Sequence, residues 1–116
     1  MNELDKMDKP IEELTSFLTS KRFDYEYIVS VSLKLWDKEI AHKIVYYAVE
    51  LLREGYLQKP HALIGKSRNV LIGCVLYVSG IRKDERRTQK LIAVASGVSE
   101  VSINKQYKMF SEIALS

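Results

Sequence analysis

The chain of 116 residues is 47% hydrophobic and carries 18 basic and 15 acidic side chains, which give a formal net charge of +3. This length and composition favour one globular domain that buries its own core. One cysteine and two distant histidines exclude an internal disulfide and the ligand spacing of a structural zinc site. The charged amino terminus excludes a signal peptide, and the longest apolar run, 70–78, is too short to span a membrane. We therefore expect a soluble cytoplasmic protein. We also expect no cofactor.

Charge is distributed unevenly along the chain. Residues 1–20 contain five acidic and two basic side chains, and we expect them to form an acidic amino-terminal helix ahead of a single domain over 21–116. Between residues 82 and 108, seven basic side chains stand against three acidic ones. This excess suits contact with phosphate, although a solvated charged face would have the same composition.

Apolar spacings of three and four residues predict helices along most of the chain. Pro10 starts the first, which ends near Ser20, and Asp24 caps a second that runs to about Lys34. Trp36 and the residue after it mark the next break. The second helix is expected to bury Tyr27, Ile28, Val31 and Leu35.

A long helix over 38–56 follows, and a connector over 58–66 leads to Ser67, which caps the segment 68–81. That segment is apolar nearly all round, so it is either a central helix or a buried strand. We predict a helix, because no other segment offers a strand partner and a lone strand would leave its backbone groups unpaired. Gly73 would then mark a close helix contact, and Cys74 would be a packed core residue.

Residues 86–110 have the pattern of a helix-turn-helix. Ala93 lies where one helix passes close to another, Gly97 provides a left-handed turn four residues later, and Ile103 lies inside the second helix. Arg87 or Thr88 is expected to start the first helix, with Ser99 as cap of the second, and the second should fray near residue 114. The predicted apolar seam consists of Leu91, Ile92, Ala95, Val98, Ile103 and Tyr107.

This seam leaves a set of side chains with DNA-binding chemistry facing outward. Asn104 can pair bidentately with adenine, Val101 can touch a thymine methyl group, and Ser102 or Lys105 can bind phosphate. Lys108 lies on the same helix. A purely structural or protein-binding helical hairpin would produce a similar pattern.

Other motifs are weaker. The run Gly65, Lys66, Ser67 is similar to the end of a phosphate-binding loop, but Pro60 stands where that loop needs glycine, which argues against nucleotide binding. Lys66 and Ser67 could still hold a DNA phosphate at a helix amino terminus. No catalytic constellation is apparent, and His42 is expected at the surface, so we predict that the protein is not an enzyme.

Ordered motifs across three helices resemble the cyclin-like core repeat of archaeal transcription factor B and eukaryotic general factor IIB, its second repeat in particular. The resemblance is strong over 65–110 and compatible over 24–64. It is carried by Gly65-Lys66-Ser67, Leu76-Tyr77-Val78-Ser79, Arg86-Arg87-Thr88-Gln89, Ile92-Ala93, Gly97-Val98, Glu100-Val101 and Tyr107-Lys108. It implies an all-α, five-helix cyclin-like fold with a buried third helix, here with an extra amino-terminal helix, and a last helix that enters the major groove upstream of a TATA box.

By position, the resemblance implies that Val101 and Asn104 contact bases of duplex DNA. We expect backbone contacts from Lys66, Ser67, Arg86, Arg87, Thr88, Ser102, Lys105 and Lys108. The resemblance also implies TATA-binding protein or RNA polymerase as partners. The alternative function is a protein-docking module of the transcription machinery without direct DNA readout, and a second copy of the chain is a further candidate partner.

Two departures from the family pattern affect the expected function. Asn104 stands where the family usually has arginine, so base preference should move from guanine towards adenine. The sequence also has no counterpart of the family's zinc ribbon, reader segment and other repeat. We therefore expect a role in transcription initiation or its regulation, and not that of a complete initiation factor.

Overall fold

A computed structural model describes residues 11–115, and the side chains of 13–115. This part of the chain is helical, with turns and short connections between the helices and no strand. The helices are α1 (Ile11–Ser20), α2 (Tyr25–Leu33), α3 (Lys38–Gln58), α4 (Pro60–Leu63), α5 (Arg68–Arg82), α6 (Gln89–Ser96) and α7 (Glu100–Leu115). The all-α prediction is confirmed.

Short polar side chains set the amino termini of five helices. Each oxygen accepts a backbone N–H two or three residues on, which satisfies a donor that the helix itself leaves unpaired. The caps are Asp24 (3.0 Å to Glu26 N), Asp37 (3.0 Å to Ile40 N), Ser67 (3.4 Å to Val70 N), Thr88 (3.2 Å to Leu91 N) and Ser99 (3.1 Å to Ser102 N). The predicted caps at positions 24, 67 and 99 are confirmed, and Thr88 rather than Arg87 caps α6.

The core is built around α5. Every residue from 71 to 80 is buried, and the helix packs against α3, α6 and α7. A helix without a polar face is stable only when other helices surround it, which is the arrangement found here. The sequence-based choice of helix over strand for this segment is correct, and the five-helix core consists of α2, α3, α5, α6 and α7.

Helix α1 packs on the outside of this core. Leu14 and Leu18 are buried, and the ring of Phe17 meets that of Tyr56 edge to face with centroids 6.0 Å apart. The helix therefore buries apolar surface against α3, on the order of 1.5–3 kcal/mol for each fully buried leucine. Pro10 and the acidic residues of 1–10 lie outside the described residues.

Three details differ from the sequence-based predictions. The connector contains a helical turn, α4, and α3 continues to Gln58. Gly55 therefore lies inside α3 and not at its end. A Cβ added to Gly55 would stand 2.8 Å from Cε1 of Phe110. Tyr27 is 37% exposed and Leu91 is 52% exposed, although both were expected to be buried. In α6 the buried stripe consists of Ile92, Ala93, Ala95 and Ser96, which turns Leu91 outward.

Candidate nucleic-acid interface

The turn between α6 and α7 has the predicted left-handed geometry. Gly97 has φ of 71° and ψ of 33°. Its N–H donates to Val94 O at 3.3 Å and the N–H of Val98 donates to Ala93 O at 3.0 Å, so the last carbonyls of α6 are paired. Ser99 then caps α7. The backbone between the two helices is thus fixed by hydrogen bonds and by a residue without a Cβ.

A close contact with the central helix fixes α7 in place. A Cβ at Gly73 of α5 would lie 2.5 Å from Cδ1 of Ile103 and 2.9 Å from Oγ of Ser96. Ile103 is fully buried, and the hydroxyl of Ser96 donates to Ile92 O at 2.6 Å. The prediction that Gly73 marks a close helix approach is confirmed, and both helices of the helix-turn-helix meet at this glycine.

The loop before α6 is held by side chains at both of its ends. Nε1 of Trp36 donates to Glu85 O at 2.8 Å, and Nε of Arg87 donates to Leu35 O at 2.9 Å. The guanidinium of Arg87 also lies over the ring of Trp36, 5.5 Å from its centroid. Arg87, which we expected to bind a DNA phosphate, therefore makes its contacts within the fold. Its neighbour Arg86 is exposed.

The outward face of α7 carries several of the predicted DNA-binding side chains. Val101 is 61% exposed, so its methyl groups are open to contact from outside the domain. Asn104, Lys105 and Lys108 are also exposed, whereas Ser102 is half-buried, with its Oγ 2.8 Å from that of Ser99.

An open groove of about 340 Å³ lies beside this face, between the start of α6 and the first turns of α7. It is lined by Gln89, Glu100, Val101, Asn104 and Lys105. The structure therefore brings together three predicted residues, Val101, Asn104 and Lys105, and adds Gln89 and Glu100. Gln89 belongs to the motif at the start of α6 that carries the family resemblance, but no contact was predicted for it from the sequence.

The remaining predicted residues lie outside this groove. Thr88 and Ser67 use their oxygens as helix caps, which leaves the hydroxyl proton of each able to donate to an anion. Lys66 is exposed in the connector just before α5. Ser102 and Lys108 are on α7 but do not line the groove. The predicted phosphate contacts are thus spread over the starts of α5, α6 and α7 and along α7.

No metal site or reactive thiol is evident in the part of the chain that the structure describes. None of its histidine, cysteine or acidic side chains form a group of three that could hold a metal ion. Cys74 is buried, and burial raises the pKa of its thiol from 9.0 to about 12, so it stays protonated and unreactive at neutral pH. Among the described helices, none combines the length and apolar character needed to cross a membrane.

Comparisons with known proteins agree with the resemblance seen in the sequence. The family model described as the transcription factor TFIIB repeat matches residues 25–113. Transcription initiation factor IIB of Pyrococcus abyssi is 33% identical over 73 residues, which cover 63% of this chain and 24% of that protein. The same factor of Ignicoccus hospitalis is 34% identical over 71 residues, covering 60% of this chain and 22% of that protein.

A longer match is found with transcription initiation factor IIB of Pyrobaculum islandicum, which is 28% identical over 121 aligned residues covering 89% of this chain and 36% of that protein. The chain thus spans about a quarter to a third of the length of these curated relatives. Their names describe transcription factors and not enzymes. No solved structure gives a significant match.

Proposed function

Because the chain belongs to the transcription factor TFIIB repeat family, we propose that it binds double-stranded DNA through α6 and α7 and acts in transcription initiation or its regulation. The observation that carries the proposal is the exposed face of α7. Val101, Asn104 and Lys105 line one open groove at its amino-terminal half, and the turn at Gly97 presents that half outward. A helix presented in this way fits the major groove of B-DNA.

In this proposal the side chains of α7 divide into two groups. Val101 and Asn104 meet base edges, the valine at a thymine methyl group and the asparagine at N6 and N7 of adenine. Lys105, Lys108 and Ser102 meet the backbone, together with Arg86 and Thr88 at the start of α6. Arg87 holds the loop before α6 in position, and this loop carries Arg86 and Thr88.

A further backbone contact is proposed at the start of α5. Lys66 and Ser67 lie at the amino terminus of a 15-residue helix, where unpaired N–H groups and the helix dipole favour an anion. No acidic side chain lies in the first turn of α5, and Arg68 occupies its first position. A phosphate at this end would compensate the resulting excess of positive charge.

The experiment that tests the proposal is selection of bound sequences from a random duplex pool, with and without TATA-binding protein. The proposal expects an enriched motif that contains adenine and is present without the partner. Recovery of unenriched sequence in both arms would contradict direct readout. Enrichment only with TATA-binding protein would move specificity to the complex and overturn recognition by the chain itself.

The second candidate function is protein docking without DNA readout, with TATA-binding protein or RNA polymerase as the partner. The observation that favours it is the outer face of α6, where Leu91 and Val94 are 52% and 73% exposed. Adjacent exposed aliphatic side chains are typical of contact surfaces. Co-purification with either partner, abolished by Leu91→Ser and Val94→Ser but insensitive to Asn104→Ala, would support it. Light scattering tests whether the chain binds a second copy of itself, because a homodimer would have twice the molar mass of the monomer.

A further inference from the structure

Gln89 lines the same groove as Asn104 but projects from a different helix, α6. We propose that Gln89 is a second specificity-determining residue of the DNA site and reads the edge of a base other than the one that Asn104 meets. This inference rests on the proposed function. It assigns to one groove two amide side chains, both of the type that recognises adenine.

Most of the side chains that line the groove have the chemistry of base readout, beside the proposed phosphate contact Lys105. The one positive side chain of the groove, Lys105, is balanced by the carboxylate of Glu100. The negative charge of Glu100 reduces the attraction of the groove for phosphate relative to that of Lys105 alone. The other three lining residues are two amides and the exposed valine Val101. Amides pair with the polar edges of bases, and valine fits the methyl group of thymine.

The side chain of Gln89 reaches towards a tyrosine of the central helix. Its Nε2 lies 3.5 Å from the hydroxyl oxygen of Tyr77, a residue that is only 5% exposed. The ring of Tyr77 is in turn fixed by the ring of Tyr107, with centroids 5.1 Å apart and planes at 84°. Gln89 therefore contacts the central helix through a long hydrogen bond, whereas Asn104 lies on the open face of α7.

This contact leaves the groups that adenine requires. A glutamine amide has two N–H donors and one carbonyl acceptor. With one N–H donated to Tyr77, the other N–H and the carbonyl oxygen remain, and they match N7 and the N6 amino group of adenine. Because the contact with Tyr77 restricts the orientation of the amide, less conformational entropy is lost on pairing.

The test uses the duplex that the wild-type chain selects and a panel of its single-base-pair variants, measured by competition in fluorescence anisotropy. We expect Gln89→Ala to remove discrimination at one adenine position by about 5- to 100-fold, at a base pair different from the one affected by Asn104→Ala. Tyr77→Phe, which removes only the hydroxyl that Gln89 contacts, should weaken discrimination at the Gln89 position and leave the Asn104 position unchanged. Gln58→Ala is the matched control, since Gln58 is exposed at the end of α3.

Each other outcome has a distinct meaning. If the wild-type chain selects a site and Gln89→Ala keeps the same profile across the panel, the role of Gln89 is wrong and the proposed function stands. If Gln89→Ala weakens all duplexes equally and lowers the melting temperature, the residue is structural and the inference is overturned. If the wild-type chain binds no duplex, the proposed function and this inference both fail.

Discussion

Gly73 of α5 and Ile103 of α7 approach so closely that a Cβ on the glycine would stand 2.5 Å from Cδ1 of the isoleucine. This contact joins the buried central helix to the helix that we propose enters DNA. In the first turns of α7, Ile103 is fully buried, whereas Val101 and Asn104 are exposed. The position of the exposed groove therefore depends on the absence of a side chain at Gly73.

We expect Gly73→Ala to destabilise the protein by about 1–3 kcal/mol, because an added methyl group in a packed core forces its neighbours out of position. The melting temperature in circular dichroism measures this loss. Ile103→Val removes the Cδ1 atom that the new methyl group would meet. The double variant should lose less stability than the two single variants together. Strict additivity would show that the contact does not limit packing here.

Substitution of Gly97 tests the backbone of the turn and not its packing. No atom lies within 4 Å of a Cβ placed at Gly97, so any loss of stability in Gly97→Ala arises from the φ of +71°. We expect a loss of about 1 kcal/mol in chemical denaturation. Gly97→Asn should cost less, since asparagine adopts the left-handed region more readily than alanine. Equal losses for the two variants would contradict the backbone explanation.

Substitutions at the neighbouring arginines should affect different properties, with Arg86 affecting DNA binding and Arg87 affecting stability. Arg87→Gln removes the hydrogen bond to Leu35 O and the contact with Trp36, and should cost about 1–3 kcal/mol of stability. Arg86→Gln, at an exposed site, should leave the melting temperature unchanged and weaken DNA binding. Thermal melts and anisotropy on both variants check this. A destabilising Arg86→Gln with a neutral Arg87→Gln would reverse the assignment.

Burial of Cys74 leads to a prediction about its reactivity and about alkaline stability. With its pKa raised to about 12, the folded thiol keeps its proton when an unfolded thiol ionises, so this contribution to stability is complete below about pH 9 and is lost as the pH rises towards 12. At about pH 8, we expect a thiol reagent to label the chain only in denaturant. Rapid labelling of the native protein would show that Cys74 is accessible.

The sequence predicted most of the fold because its strongest signals are local. Caps such as Asp24 and Ser67 act within one helical turn, and the all-round apolar segment of α5 requires burial whatever surrounds it. The turn at Gly97 follows from the same kind of local rule.

The errors have a different origin. Leu91 and Tyr27 were assigned to the core because an apolar stripe can be displaced by one position without losing its periodicity, and only the packing of neighbouring helices decides between the alternatives. The engagement of Arg87 by Trp36 and Leu35 joins residues about 50 positions apart. The groove shared by Gln89 and Asn104 likewise depends on how α6 and α7 pack. Such contacts have no local sequence signature.

The salt dependence of duplex binding tests the central claim most directly. Fluorescence anisotropy on the selected duplex between about 50 and 200 mM salt should show affinity falling steeply as counterions compete for phosphate. Lys105→Ala should weaken all duplexes alike and reduce the slope of log K against log salt by about 1, while Asn104→Ala should keep the slope and lose preference at one base pair, by about 1–3 kcal/mol. Lys43→Ala, at an exposed site of α3, should match the wild type. Binding that is absent at low salt, or that does not weaken as salt rises, would contradict the account.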